Sequence, residues 1–215
     1  MQDFTFYFRL GIEHILTPDA IDHILFVTAL CLRYLWNDWK KVVVLVTAFT
    51  IGHSLTLALS ALNYIHINAK WIEFCIPLTI AATCINNLVQ HTAEQRSRLP
   101  LIYFFALFFG LIHGLAFAGQ FLSLEGKEGL IVHLLAFNLG IEAAQLLVVI
   151  IVLLLSFLAV QLIKLPRLAW LRGASAIILI ISLVWAYKRF PYNKNYKDES
   201  DETVFVVGDG CRRWA

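Results

Sequence analysis

Six long apolar runs constrain this chain more than anything else in it. They fall at roughly Ala20–Trp36, Val42–Tyr64, Trp71–Gln90, Leu99–Leu122, Leu130–Ile163 and Leu168–Tyr187. A bilayer core takes about 20 mostly apolar residues per helix. Composition agrees: 60% of the 215 residues are hydrophobic and 15% are charged, where a soluble domain carries about 25% charged residues. The expected fold is all-α, a polytopic membrane helix bundle with about six transmembrane helices. The first run is the shortest. The fifth is too long for one straight span and too short for two, so it is expected to tilt, kink or protrude, with Gly140 as the weak point.

The flanks complete the expected organisation. Phe4–Ile12 reads as a short N-terminal interfacial helix, and Thr17-Pro18-Asp19 as a turn into an N-capped helix. Residues 1–192 form one transmembrane domain, and the polar segment 193–215 is expected to be a mobile tail. The first residues lack the basic stretch and cleavage site of a secretory signal. A net charge of +2 gives no basic face for nucleic acid, so the lipid bilayer is the expected partner. Cys31, Cys75, Cys84 and Cys211 form no C-x-x-C pair and read as small apolar residues.

Loop charges set the expected orientation. Arg33, Lys40, Lys41, Arg96, Arg98, Lys164, Arg167 and Arg172 follow the odd-numbered runs. Arg9, Lys70 and Lys127 lie on the other side. That places the N-terminus outside, in what is expected to be a bacterial inner membrane. The tail cations Lys188, Arg189, Lys194 and Lys197 oppose this count. Trp36, Trp39 and Trp170 mark one interface, and Trp71 and Trp185 the other.

Polar side chains deep in the runs are few: His53, Ser54, His113, Asn138, Glu142 and Gln145, with Asp22 and His23 at the mouth of the first. No Lys or Arg lies deep enough to neutralise Glu142, and an unpaired carboxylate in the membrane is costly. A proton, an imidazolium or a metal ion remains. At a rise of about 1.5 Å per residue, His53, His113, Asn138 and Glu142 all fall about 12–18 Å below the outer ends of their helices. Asp22 and His23 open their helix from the same side. Asn138, Glu142 and Gln145 share one helical stripe, as do Asp19, Asp22 and His23. Imidazoles with carboxylates form a ligand set suited to zinc, nickel, cobalt or iron, and not to calcium or magnesium. Asn138, Gln145 and Asp19 read as groups that orient the ligands. His66 and His91 read as loop residues, His133 lies off the Glu142 stripe, and Glu73 reads as snorkelling outward. Gly110, Gly114 and Ala118 read as a close-packing stripe that positions His113.

Gly11-Ile-Glu-His-Ile-Leu followed by Asp22-His-Ile-Leu-Phe resembles the first-helix signature of the HupE/UreJ family of membrane proteins. So do Phe49-Thr-Ile-Gly-His-Ser-Leu, Phe109-Gly-Leu-Ile-His-Gly-Leu-Ala-Phe-Ala and Phe137-Asn-Leu-Gly-Ile-Glu. The family is similar to secondary nickel and cobalt permeases. The resemblance implies that His14, Asp22 and His23 share one site with His53, His113 and Glu142. The first-helix motif departs from the best-described members: Ile15 stands where they have Pro, and Ala20 where they have Gly.

Three functions are compatible with these residues. In the first, the chain is a divalent metal permease: His14, Asp19 and Asp22 receive the ion, and His23, His53, His113 and Glu142 hold it. Its inner half offers few ligands, only Cys31, Cys84, Asn86 and Asn87. In the second it is an intramembrane zinc-dependent hydrolase, with Glu142 or Asp22 as general base and Ser54 stabilising developing charge. In the third it binds metal without catalysis, in an assembly role. A polar path to the far face favours transport, and a closed apolar floor favours catalysis.

Overall fold

The computed structural model describes residues 2–62, 64–65, 68–89, 99–124 and 129–191, with residues 2, 19, 99–102 and 117–124 described through their backbone only. The expected mobile tail 193–215, together with His66, His91 and Cys211, lies outside the described residues. Among the described residues the structure is helical throughout. It comprises α1 (Gln2–Leu16), α2 (Ile21–Cys31), α3 (Trp39–Ala61), α4 (Ala69–Leu88), α5 (Leu99–Leu124), α6 (Leu130–Phe157) and α7 (Arg167–Lys188). Short 3-10 turns cover Pro18–Ala20 and Trp36–Asp38, and a π-helical turn, Leu158–Leu162, extends α6.

Four of these segments are long and apolar enough to cross a membrane: Trp36–Ala61, Ala69–Leu88, Leu130–Leu162 and Arg167–Lys188. The bent pair α1–α2 counts as a fifth if it is one broken span. α5 runs for 26 residues, about 39 Å at helical rise. Bulky apolar side chains such as Ile51 and Leu55 on α3, Leu135 and Ile150 on α6, and Ile180 on α7 point out of the bundle. A soluble monomer does not leave so much apolar surface uncovered; in a bilayer it is the lipid face.

The first span departs from the expected interfacial helix plus continuous run. α1 and α2 are separate helices that meet at a 71° bend, the geometry of a broken span or a re-entrant loop, with α1 above and α2 below. Taking the upper end of the bundle as the one where α6 begins, α1 descends beside α6. Tyr7 stacks on His133, with ring centroids 4.2 Å apart. Gly11 meets the backbone of Phe137 and Ile141. Lower down, Val27 and Cys31 of α2 share an apolar cluster with Val148, Val149, Val152 and Leu153 of α6. The cause of the break is local. Thr17 is extended (φ −76°, ψ 151°) before Pro18, as the residue preceding proline prefers, and proline ends the helical hydrogen-bond ladder.

Glycines set the closest helix contacts. Gly11 and Gly140 place the backbones of α1 and α6 against each other. Gly52, Gly110 and Gly114 do the same for α3 and α5, where a Cβ would strike the carbonyl oxygens of Leu107, Phe49 and His53. Small residues permit such approach in membranes, where packing drives association. α6 is continuous through Gly140, where it packs on the backbone of α1. Its irregularity comes at the lower end, in the Leu158–Leu162 turn, closed by Lys164 at φ 60°.

Candidate metal centre

The site is built at the bend between α1 and α2. In an unbroken helix His14 and His23, nine residues apart, would stand about 13–14 Å apart along the axis and on opposite faces. The bend brings their rings to 5.0 Å, centroid to centroid. Irregular backbone at membrane depth is tolerated where it lines a cavity, and interrupted helices are a common device for ion sites. Here Thr17 and Ala20 from the break line an open cavity of about 400 Å³, with His14, His23 and His113 at its base.

His53 joins them from α3. Ligand-capable atoms of His14, His23 and His53 all lie within 4.8 Å of one another. The ring centroid of His53 is 6.2 Å from that of His14 and 5.9 Å from that of His23. His113 of α5 stands beside the group, 5.1 Å from His23. His23, His53 and His113 are buried. Both ring nitrogens of His23 and of His53, and Nε2 of His113, have no hydrogen-bond partner among the described residues. Buried polar atoms are normally paired, so this concentration of open nitrogens fits a ligand that takes lone pairs. His113 is prepared in the same sense. Its Nδ1 lies 2.8 Å from the carbonyl oxygen of Phe109; a proton donated there leaves the lone pair on Nε2, as in most ligating histidines.

The walls and floor are aromatic. Phe26 and Phe49 pack on His113, with centroids 5.4 and 5.1 Å away, and Phe137 lies 5.7 Å from His14. The floor beneath the imidazoles is thus apolar. A polar seam leaves it on the α3–α6 side: Thr50, one turn below His53, donates to Oε1 of Gln145 at 3.0 Å, and Thr47 donates to Glu142 at 2.7 Å.

The other expected site residues are distributed as follows. Glu142 is not within the imidazole group; its carboxylate accepts from Thr47. The α6 stripe faces α3, where Glu142 and Gln145 meet threonines. Asn138 stands beside His53 and donates from Nδ2 to the carbonyl of Leu134 at 2.8 Å. Asp22 does not accept from an imidazole: its Oδ2 lies 2.6 Å from the Arg189 guanidinium. Ser54 donates to the Thr50 carbonyl at 2.7 Å and so points back along its own helix. The side chain of Asp19 is outside the description. Two residues that the sequence reading assigned elsewhere belong to the cavity. Glu73 lines it instead of snorkelling outward, and Arg189, counted above as a tail cation, lies across it. Neither has a spacing signal in the sequence; only the α4–α7 packing brings them together.

Comparison with curated proteins and with solved structures returned no match. A family model described as HupE / UreJ protein matches residues 1–189. That match takes in every helix described above, and each imidazole of the centre comes from one of the motifs that suggested the family. The chain belongs to the HupE/UreJ family of membrane proteins.

Proposed function

We propose that this protein is a divalent transition-metal permease of the nickel/cobalt type, working in a bacterial inner membrane with the upper end of the bundle outside. The carrying observation is the group His14, His23 and His53, drawn from three helices to within 4.8 Å, with His14 and His23 lining an open cavity. His113 is the fourth imidazole. The HupE/UreJ family supports nickel or cobalt as the transported ion, and imidazole nitrogens suit either, as they suit zinc.

An all-imidazole set suits a divalent transition metal. Metal and proton compete for the same lone pairs, so the ligands act as neutral rings. With no carboxylate among the three, the ion keeps its full charge in a low-dielectric site. Permeation requires that the site also release the ion, and the open cavity and the polar seam beside the imidazoles support that reading. In this reading the ion enters through the cavity and leaves along the Thr50–Gln145 and Thr47–Glu142 seam. The orienting group is the Phe109 carbonyl behind His113, and Asn138 stands beside His53.

A second reading, a zinc-dependent intramembrane hydrolase, draws support from the Phe26–Phe49 floor. Against it, Asp22, Glu142 and Ser54 each have another partner. The purified protein in sealed liposomes, loaded with a metal-sensing dye, separates the readings. External Ni2+ or Co2+ is expected to produce a signal well above that of protein-free vesicles, lost in His53→Ala. Stoichiometric metal binding without flux would end the permease reading and leave hydrolysis or an assembly role.

A further inference from the structure

The mouth of the cavity is held by an ion pair that no motif of the chain announces. Arg189, the residue that caps α7 at its C-terminus, reaches Asp22 of α2 at 2.6 Å. The aspartate is buried, with 5% of its surface exposed. Its second oxygen, Oδ1, is also buried and has no hydrogen-bond partner among the described residues. Asp22 lines the same cavity as His14, His23 and His113. Glu73 of α4 lines the same cavity. Glu13, also on its wall, is taken by Arg9 at 2.7 Å.

We infer that Arg189 is a tethered competitor for the incoming dication, its guanidinium occupying the carboxylate mouth formed by Asp22 and Glu73 until a metal ion displaces it. The inference rests on the imidazole group binding a divalent ion, and three physical points carry it. First, a guanidinium and a dication seek the same carboxylate oxygens, and in a partly buried cavity their mutual repulsion is weakly screened. Second, Arg189 sits at a helix end and not within one, and its guanidinium is 5.4 Å from the Trp185 ring. That aromatic face already holds the cation while it pairs with Asp22, so the guanidinium keeps a partner when the carboxylate is taken. Third, the pair crosses between α2 and α7, so its opening loosens the cavity rim without touching the helix contacts that hold the imidazoles. Arg189 is therefore a specificity-determining residue: a monovalent ion cannot outcompete it as a dication can, so the mouth admits divalent ions preferentially.

Metal association by stopped flow, with Ni2+ or Zn2+ alone as the probe, tests this directly. Arg189→Gln removes the charge and keeps the stem. It is expected to speed association and tighten binding by about tenfold, the scale on which charges at a binding rim act, while dissociation changes little. Arg189→Lys keeps the charge and should stay near wild type. Unchanged or slower association in Arg189→Gln, with the wild type still binding metal, overturns the competitor and leaves the imidazole site standing. No metal on either protein overturns the site and the competitor together. A measurement on the wild type removes dependence on the variant's folding: phenylglyoxal should modify Arg189, read by mass spectrometry, faster when metal is bound. Equal or slower modification in the loaded protein overturns the displacement.

Discussion

A buried imidazole whose two nitrogens both lack partners is a costly residue to retain unless something takes a lone pair. His53 is such a residue, with none of its surface exposed. Its replacement by Ala is expected to lower the metal content of the purified protein by at least about tenfold, a conservative figure since even an orienting neighbour contributes about 10–100-fold. The fold should persist, since no paired group is orphaned. Glu142→Gln makes the contrast. The amide oxygen can still accept from Thr47, which now donates to the carboxylate at 2.7 Å, so metal content should stay within about threefold of wild type, below the effect of losing an orienting group. Elemental analysis of the two variants side by side checks both statements. If Glu142→Gln empties the protein while His53→Ala stays loaded, the ligand set is the wrong one.

Helix contacts determine how well these imidazoles are placed. α3 and α5 touch through Gly52, Gly110 and Gly114, and His53 and His113 lie on the same contact. Adding a Cβ at Gly110 drives it into the Phe49 carbonyl, so α3 and α5 must separate. Overpacking of this kind costs about 1–3 kcal/mol, and Gly110→Ala is expected to lose that much stability along with metal affinity. Gly173 on α7 is the internal control, because nothing lies within 4 Å of the position its Cβ would take. Gly173→Ala should be neutral or stabilising by up to about 1 kcal/mol, the difference in helix propensity. Thermal unfolding of the two variants in one detergent decides: equal shifts would mean that the α3–α5 approach is not tight.

The whole bundle has two unlike ends. The lower end carries Trp36 and Trp39, half exposed, and Lys41 paired with Asp38 at 2.7 Å. Arg167 donates to the Arg33 carbonyl at 2.9 Å. At the upper end Arg189 is turned inward to Asp22, so this tail cation is engaged within the bundle. That removes Arg189 from the tail cations that oppose the loop count, on which the proposed orientation rests. In a background with Cys75 and Cys211 replaced by Ser, an Asp38→Cys variant in intact cells should resist an impermeant thiol reagent and react after permeabilisation. Prompt labelling of intact cells would invert the orientation. Cys31 and Cys84 are buried and leave the signal clean.

Apolar run length determined the fold class, because a bilayer admits little besides helices at this composition. Period and depth put His53 and His113 at one expected level, and the two residues lie on the same α3–α5 contact. Two things were beyond that logic. A helical stripe names a face but not the helix it meets, so Asn138, Glu142 and Gln145 were grouped correctly while the partner of Glu142 was not foreseen. It is Thr47 of α3, 95 residues away in the chain. A Thr-Pro pair likewise marks a break without giving its angle. Only the packing of α1 against α6, glycine on backbone, sets the bend that carries His14 from the far side of its helix to His23. Only the antiparallel seating of α7 on α4 delivers Arg189 to the cavity. Pattern along a chain encodes burial, which is local. Ligation and ion pairing depend on distances between helices, and those are settled by side-chain and backbone contacts across the bundle.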